Sequence, residues 1–435
     1  MSSEEGSCRL WNISILAVVF LSIYNVLLTL KLMYSPECVK SPAPAVRLAP
    51  KAPKCDPPKH ANAKNDPMFK LDLRLGRWDN RLNYKLFDNI VVGERFAALS
   101  DHHKTCLATQ SSLDKLASLI EVSANWNGPI SLATFAASDE ELNSLLLYIF
   151  FLRECNAKIR EQVSFHLAFP KDHRPKNINV DLDKLEQMSC ANPIGALQHL
   201  VKQYLKGVSK WRTKLPYPQN HLRNLARKNC QSKYVFLTDV DIIPNRNMVE
   251  ELDKFLEQVK CKGLCAYVIP TYELDDRVRF PPNKTELIRL ANKGLARPFH
   301  HKVFIYNQFA TNFTKWQSTG NDISEVHISH PVTNFEFLYE PFYVAPDTVP
   351  PHDERFVGYG YTRNSQVYEM FVAGYEFLVL SPTFTCHWGL QVKRTRPPWR
   401  EHQNNLNRKH FDGFKREIFA KYDKDPLNMM SVRKN

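Results

Sequence analysis

Short apolar runs alternate with longer amphipathic stretches along the chain from about residue 104. A short apolar run between turn residues favours a buried strand, whereas a longer run with helical spacing favours a helix. Ser138 and Glu141 form a capping box, which marks the start of one such helix. We predict strands at KTCLATQ (104–110), ISLATFAA (130–137), VSFHLAF (163–169) and KYVFLTD (233–239), and helices at 111–123, 139–155, 193–206 and 218–229.

This order of strands and helices predicts an α/β fold with a mainly parallel sheet flanked by helices. Ligands of such sheets bind beyond the carboxyl ends of the strands. Asp239 and Asp241 lie at such an end, directly after four apolar residues among five. The chain has no glycine-rich phosphate loop of either common type, so a phosphate-bearing ligand needs other contacts.

The N-terminal region has a different pattern. Residues 10–30 carry no formal charge, and a helix of that length spans roughly 30 Å of hydrocarbon. Eight prolines follow within residues 35–67. A cleaved signal peptide is the alternative, but Lys31 and the bulky residues after it do not resemble a cleavage site. We predict a cytoplasmic tail (1–9), a transmembrane signal anchor (10–30), a proline-rich stem (31–67) and a lumenal body (68–435).

The orientation of this anchor has conflicting signals. One arginine and two glutamates precede it and Lys31 follows it, so the positive-inside rule alone favours a cytoplasmic body. Two N-glycosylation sequons, Asn283-Lys-Thr and Asn312-Phe-Thr, favour a lumenal body instead.

The net charge is +13, and residues 391–435 contain twelve Lys/Arg against five Asp/Glu. A basic tail could bind an anionic partner, although a solvated basic helix is the simpler interpretation. Ten cysteines suit an oxidising compartment, but the nine beyond the anchor cannot all pair within one chain. Cys38 and Cys55 could cross-link two chains. Cys261 and Cys265 have no second close pair, which disfavours a zinc site.

Three D-x-D triplets occur: Asp181-Leu-Asp183, Asp239-Val-Asp241 and Asp423-Lys-Asp425. Only the second follows an apolar strand. In an extended chain, residues i and i+2 point to the same side, so both carboxylates could face one Mg²⁺ or Mn²⁺ ion. The alternative is that they cap a helix or pair with arginines.

Two further features favour a metal and nucleotide site. In YPQNHLRNLARKN (217–229), Arg223 and Arg227 share one helical face with Asn224, and could hold a diphosphate. As an alternative, the two arginines could simply be solvated. A late strand, YEFLVLSPTFTCHW, delivers His387, an acceptable metal ligand beside carboxylates, although a lone histidine is more often structural.

Eight segments resemble glycosyltransferase family 49 and follow its order from about residue 104 to 425: NWNGPIS, LRNLAR, DVDIIP, NKTELIRLANKGLARPF, TNFTKW, EPFYVA, DERF-x-GYG and VAGYEF. The resemblance implies a GT-A fold, a UDP-sugar donor, a divalent cation, usually Mn²⁺, and inversion at the anomeric carbon. It also implies a type II Golgi membrane protein with a lumenal catalytic domain.

The resemblance further implies transfer of glucuronate from UDP-glucuronate to a β-linked xylose on a glycoprotein. Asp239, Asp241 and His387 would hold the metal, and Asp353 or Glu354 would act as general base. Arg223, Asn224, Arg227 and Arg297 would contact the donor. Asn312 matches a family sequon, whereas Asn283 is either a second sequon or a helix cap.

Trp388 stands where vertebrate members carry a basic residue, so transfer of N-acetylglucosamine or xylose is an alternative. A non-catalytic glycan-binding or partner subunit is another, which the retained aspartates and His387 disfavour. The expected partners are the donor, a glycan acceptor, the Golgi membrane, and a second copy or other glycosyltransferases. Nucleic acid is not expected, because it conflicts with the anchor and stem.

Overall fold

A computed structural model describes residues 19, 21–27, 69, 71–207, 211–319, 324–393 and 395–430. The chain separates into two compact units, Met1–Lys59 and His60–Asn435. Residues 19 and 21–27 are helical, and the remainder of the predicted tail, anchor and stem lies outside the described residues. Among the helices that are described, none has both the length and the apolar character needed to cross a membrane.

The strands of the larger unit are β1 Arg77–Trp78, β2 Tyr84–Val91, β3 Thr105–Ser111, β4 Ile130–Phe135, β5 Val163–Pro170, β6 Tyr234–Leu237, β7 Ile243–Pro244, β8 Leu264–Ile269, β9 Thr271–Leu274, β10 Ala296–Pro298, β11 His327–Pro331, β12 Phe342–Pro346, β13 Tyr375–Ser381 and β14 Thr385–Trp388.

Its α-helices are α1 Phe96–His102, α2 Leu119–Asn125, α3 Asp139–Cys155, α4 Ala157–Gln162, α5 Asp183–Glu186, α6 Pro193–Gly207, α7 Gln219–Lys228, α8 Met248–Gln258, α9 Lys284–Asn292, α10 Phe313–Ser318, α11 Arg363–Ala373 and α12 Pro398–Tyr422. Short 3₁₀ helices cover Leu113–Ser118, Ile305–Asn307 and Phe309–Thr311.

A ten-stranded sheet in the order β1-β2-β5-β4-β3-β6-β12-β8-β13-β11 forms the centre of this unit. In the described chain, seven of its strands run in one direction, and β2, β12 and β11 run against them. The predicted α/β fold with a mainly parallel sheet is therefore confirmed. The antiparallel strand β12 was not predicted, because Phe342–Pro346 is a five-residue run between prolines that looks like part of a loop.

The predicted capping box is present, except that the Glu141 carboxylate accepts from the N–H of Ala137 and not from that of the cap residue Ser138. The N–H of Glu141 donates to Oγ of Ser138 at 3.1 Å, while the Glu141 carboxylate accepts from the N–H of Ala137 at 2.8 Å. The helix predicted at 111–123 is wrong at its start. Ser111 still belongs to β3, a 3₁₀ helix follows, and α2 begins only at Leu119.

A second sheet has four strands in the order β10-β9-β14-β7. Strand β14 carries His387, and β7 begins two residues after Asp241. Its strand β7 pairs antiparallel with β14, and β14 pairs in parallel with β9. These pairings join segments that are more than a hundred residues apart in the sequence. They bring the chain just after Asp241 next to the strand that carries His387.

Three disulfides are formed among the described cysteines: Cys106–Cys230, Cys155–Cys190 and Cys261–Cys265. Cys386 is a buried free thiol. The close pair at Cys261 and Cys265 thus bonds to itself. Cys38 and Cys55, predicted to cross-link two chains, lie outside the described residues.

Candidate active site

The aspartates of the predicted metal site lie in a turn directly after β6. This strand is held between β3 and β12 and ends at Leu237. The N–H of Ile242 donates to the carbonyl of Asp239 at 2.9 Å, which closes the turn. The prediction that Asp239 and Asp241 point to one side of an extended strand is therefore wrong, because they lie in a turn. Both carboxylates nevertheless line one cleft.

His387 reaches this turn through the second sheet. In that sheet, Cys386 on β14 is paired with Ile243 on β7. Nε2 of His387 consequently lies 3.6 Å from Oδ2 of Asp241. The structure thus brings together Asp239, Asp241 and His387, which are the three residues predicted to hold a metal.

These residues open into a cleft of about 240 Å³, called the central cleft below. Phe299 and Phe342 form apolar parts of its wall, and the Phe299 ring lies 5.5 Å from the His387 ring, centroid to centroid. The titratable side chains of the lining are Arg223, Asp239, Asp241, His300, Glu340, Arg363 and His387. A cleft with both signs of charge suits a ligand that carries phosphate and sugar groups together.

Asp239 is held by two buried arginines. Its Oδ1 lies 2.9 Å from Nη2 of Arg363 and 3.3 Å from Nη2 of Arg223, and accepts from Nε2 of Gln110 at 3.0 Å. Burial raises the pKa of Asp239, but the charges of Arg363 and Arg223 outweigh burial, so the pKa is well below its ordinary value. Asp239 is therefore ionised, and Oδ2 receives none of these three contacts.

Asp241 has weaker partners. Besides His387, Nζ of Lys115 lies 3.5 Å from its Oδ2. Burial raises the pKa of Asp241. The hydrogen bond and charge of His387, together with the charge of Lys115, lower the pKa by more, so the net shift is downward. Two ionised carboxylates beside an imidazole form a ligand set that suits Mn²⁺ or Mg²⁺.

Of the residues on helix α7, Arg223 lines the central cleft, whereas Asn224 and Arg227 contact other segments. Nε of Arg227 pairs with Oδ1 of Asp347 at 2.8 Å. Nδ2 of Asn224 donates to the carbonyl of His352 at 2.8 Å and to Oε1 of Glu354 at 3.0 Å. Of the α7 residues predicted to bind the donor, only Arg223 lines the cleft, and the other two hold the loop after β12.

The two candidates for the general base do not reach the cleft. Oδ2 of Asp353 lies 2.5 Å from Nη2 of Arg355, which also pairs with Glu417 on α12. Glu354 turns towards His221, with Oε2 of Glu354 3.7 Å from Nε2 of His221. Asp353 and Glu354 thus make intramolecular contacts, and neither belongs to the cleft lining.

Asp79, His221 and Glu354 lie elsewhere and are, among the described residues, the three whose ligand atoms all lie within 4.8 Å of one another, so they could hold a metal ion. Nε2 of His221 is 3.2 Å from Oδ2 of Asp79. Asp79 also accepts from the backbone N–H groups of Asn83 and Tyr84 at 2.7 and 2.8 Å. The Asp79 carboxylate therefore has hydrogen-bond partners without an ion, whereas the buried Nδ1 of His221 has none among the described residues.

Arg297 supports the cleft wall from behind. Its Nε donates to Oε2 of Glu273 at 2.8 Å, and its Nη2 donates to the carbonyl of Gln391. The fully buried Glu273 also accepts from the N–H of Gln391 at 3.0 Å and of His300 at 2.9 Å. Because Gln391 and His300 line the cleft, Arg297 acts on it through them.

Sequence reasoning missed three titratable lining residues, Arg363, Glu340 and His300. All three lie in or next to segments that carry the family resemblance, since Glu340 begins EPFYVA, Arg363 follows DERF-x-GYG closely and His300 directly follows ARPF. His300 has a left-handed backbone, with φ 61°, an uncommon conformation for a residue with a side chain. Burial is the main cause that lowers its pKa, to about 4, so it is neutral at pH 7.

Both sequon asparagines are exposed helix caps. Oδ1 of Asn312 accepts from the N–H of Lys315 at 3.2 Å, and Oδ1 of Asn283 accepts from the N–H of Glu286 at 2.9 Å. Capping uses the carbonyl oxygen, whereas a glycan is attached to the amide nitrogen. The cap at Asn283 is therefore compatible with glycosylation.

The comparison with known families decides what this cleft belongs to. A family model described as "Glycosyl-transferase for dystroglycan" matches residues 104–423. The chain belongs to glycosyltransferase family 49. The resemblance found in its sequence motifs is thereby confirmed, and the matched segment contains every residue that lines the central cleft.

Named relatives of this glycosyltransferase share much of its length. Beta-1,4-glucuronyltransferase 1 of Homo sapiens is 32% identical over 339 residues, covering 75% of this chain and 78% of the relative. The Danio rerio protein of that name is 28% identical over 368 residues, covering 81% and 83%. Xylosyl- and glucuronyltransferase LARGE2 of Mus musculus is 27% identical over 290 residues, covering 66% of this chain but only 34% of the relative.

Solved structures are more distant from this family 49 chain. GalNAc-T7 with UDP, GalNAc and Mn²⁺ aligns with a TM-score of 0.36 and 8% identity, over 73% of this chain and 50% of that chain. That likeness is too low to bear on the fold or on the ligands of the cleft.

Proposed function

We propose that this glycosyltransferase transfers glucuronate from UDP-glucuronate to a glycan that ends in β-xylose, with inversion and with a divalent cation. The similarity to beta-1,4-glucuronyltransferase 1 along three quarters of the chain supports this donor. The observation that carries the proposal is the convergence of Asp239, Asp241, Arg223 and Arg363 in one cleft. A GT-A fold belongs to the proposal, supported by the aspartate pair at the end of β6.

Asp239, Asp241 and His387 would hold the cation, with Mn²⁺ as the expected ion. The chemistry of the donor set fits, since both carboxylates are ionised and the close contacts of Asp239 fall on Oδ1, away from Oδ2. The ligand atoms of the three residues do not all lie within 4.8 Å of one another, so binding would draw them closer. A bound divalent ion supplies charge neutralisation for a leaving diphosphate. The group formed by Asp79, His221 and Glu354 is the less suitable place, because Asp79 already accepts from two backbone N–H groups and Glu354 accepts from Asn224.

Arg223 and Arg363 would contact the anionic groups of the donor. Both guanidinium groups are buried and face the cleft, and each already approaches Asp239. Arginine binds phosphate and carboxylate oxygens with charge-assisted hydrogen bonds. In this proposal the two residues position the diphosphate or the glucuronate carboxylate, while Asn224, Arg227 and Arg297 keep the surrounding loops in place.

A second candidate is transfer of N-acetylglucosamine or xylose from its UDP-sugar. Trp388, next to His387, favours this alternative because its side chain carries no positive charge. Its Nε1 donates to Oε2 of Glu121 at 2.6 Å. A glucuronate carboxylate gains more from a cation than from an indole ring.

The proposal includes residence in the Golgi membrane as a type II protein, with the glycan acceptor and other glycosyltransferases, or a second copy, as partners. The uncharged segment 10–30, the two sequons and the three disulfides support it. Protease protection in sealed Golgi vesicles measures the orientation. Digestion of the body without detergent would contradict it.

A donor screen tests the proposed reaction. The full chain with Mn²⁺ and β-xylosides should release UDP from UDP-glucuronate faster than from UDP-N-acetylglucosamine or UDP-xylose. In an Asp239→Ala, Asp241→Ala double variant, the rate of UDP release should fall by about 100-fold or more. The matched control is Asp181→Ala, Asp183→Ala, an exposed D-x-D pair that should keep it. Equal turnover in both double variants would remove the aspartates from the reaction.

A further inference from the structure

Glu340 is a carboxylate that the backbone holds at the wall of the central cleft. It precedes β12, and its N–H donates to the carbonyl of Asn307 at 2.8 Å. Its own carbonyl accepts from Nε2 of Gln308 at 2.8 Å, and its Oε2 accepts from Nδ2 of Asn307 at 2.9 Å. The position of the side chain is therefore set by the segment that follows β10.

The other two carboxylates of the cleft are already engaged with cations. Asp239 pairs with Arg223 and Arg363, and Asp241 lies near His387 and Lys115. For Glu340, by contrast, the described part of the chain provides no basic side chain within 4.0 Å of the carboxylate. A carboxylate without a fixed cation remains available to take up a proton.

The surroundings of Glu340 raise its affinity for a proton, as a general base requires. Burial is the largest cause that raises its pKa, and Asp239 adds to the rise. Arg363, Arg223 and the backbone N–H of Asn364 oppose the rise without cancelling it. Asp241, His300 and His387 are the remaining titratable groups that line the same cleft.

We propose that Glu340 is the general base of the transfer, in place of Asp353 or Glu354. A carboxylate oxygen of Glu340 takes the proton of the acceptor hydroxyl as the hydroxyl oxygen bonds to C1 of the donor sugar. The bond between C1 and the diphosphate oxygen breaks, and its electron pair leaves with UDP. The products are the inverted glycoside, UDP and a protonated Glu340, which returns its proton to water.

This assignment rests on the proposed transferase reaction, and a Glu340→Gln variant of the full chain tests it. With UDP-glucuronate, a β-xyloside and Mn²⁺, kcat should fall about 100-fold or more. The affinity for UDP with Mn²⁺, measured by calorimetry, should stay within about twofold, because the amide retains the hydrogen bond from Asn307. The control is Glu376→Gln on β13, an exposed glutamate away from the cleft, which should keep kcat.

Azide gives an independent readout, because it attacks C1 without a proton to lose. With azide as acceptor, Glu340→Gln should form glucuronyl azide and UDP at a rate close to that of the wild type. The part of the acid limb that Glu340 causes in the wild-type pH–rate profile should also shift in Glu340→Asp and be absent in Glu340→Gln. Asp239, Asp241 and His300 also line the cleft and are unchanged in these variants, so any pH dependence that they cause persists in Glu340→Gln.

Three results would overturn the assignment. The first is a kcat of Glu340→Gln within about fivefold of the wild type, well short of a lost general base. The second is a raised KM for the donor with kcat retained and no gain from azide, which would make Glu340 a donor contact. The third is loss of UDP binding, which would make it structural. If another UDP-sugar proves to be the donor, the proposed function fails, but the same comparison with that sugar still decides the role of Glu340.

Discussion

Nη2 of Arg363 lies 2.9 Å from Oδ1 of Asp239 and ties the start of α11 to the turn after β6. The guanidinium carbon also lies 4.3 Å from the centroid of the Phe342 ring. The side chain of Arg363 is only 4% exposed and that of Asp239 is 29% exposed. One buried arginine therefore contacts both the turn after β6 and the first residue of β12.

Replacing Arg363 by Met should lower both activity and stability. Breaking a buried ion pair costs about 3–5 kcal/mol, but Asp239 is partly exposed and keeps Arg223, so we expect about 2 kcal/mol in urea unfolding. UDP release should fall about tenfold or more, since Asp239 loses its closest partner. Arg416→Met on the exposed face of α12 is the control. Unchanged unfolding and turnover in Arg363→Met would show that the pair is dispensable.

The disulfides should differ in their contribution to stability. Cys106–Cys230 closes a loop of 124 residues, whereas Cys261–Cys265 closes one of four. Loop entropy predicts about 5 kcal/mol for the first and about 2 kcal/mol for the second. Thermal unfolding of the two double Cys→Ser variants measures the difference. A larger loss from the short loop would mean that native contacts, and not loop entropy, dominate.

Lys284 should give the stability a particular dependence on pH. Its ammonium is buried, donating to the carbonyl of Thr319 and to Oγ of Ser381 at 3.1 Å. Burial lowers its pKa from 10.5 to about 8. Between these two values the unfolded chain binds more protons than the folded one, so stability rises with pH there.

A Lys284→Met variant isolates this effect. The difference in unfolding free energy, wild type minus variant, should increase from pH 7.5 to pH 10, while Lys293→Met, at an exposed position, should follow the wild type. Denaturant titrations at several pH values measure the difference. A difference that stays flat over this range would place the pKa of Lys284 near its ordinary value.

Both sequons should be occupied when the chain is expressed in eukaryotic cells. Thr314→Ala and Thr285→Ala each remove a sequon but leave the capping oxygens of Asn312 and Asn283 in place. Each variant should lose the mass of one glycan, seen by gel shift with and without an amidase that removes N-glycans. A wild-type chain with no shift after amidase treatment would contradict the lumenal orientation.

Sequence patterns predicted the local elements well, because apolar periodicity and capping act within a few residues. The strands at 104–110, 130–137 and 163–169 and the helix after Ser138 all occur. Of the three triplets, Asp239-Val-Asp241 is the one that lines the central cleft, and its role as a metal site stays a prediction. In each case the deciding signal lies next to the residues concerned.

Helical spacing predicted the contact partners of side chains less well. Arg223 and Arg227 share one face of α7, yet the first contacts Asp239 and the second contacts Asp347. The spacing tells which residues are neighbours, but the partner depends on which segment packs against each turn of the helix. Asp353 and Glu354 were assigned from the family resemblance, and their contacts with Arg355 and His221 place them outside the cleft lining.

By itself, the sequence determined the α/β class, the family and the aspartate pair. The tertiary structure alone decided that His387 meets Asp241, because β7 and β14 pair across more than a hundred residues. It also decided that Arg363 and Glu340 face that pair. Local patterns depend on neighbouring residues, whereas the chemistry of this cleft depends on contacts between distant segments, which no local pattern encodes.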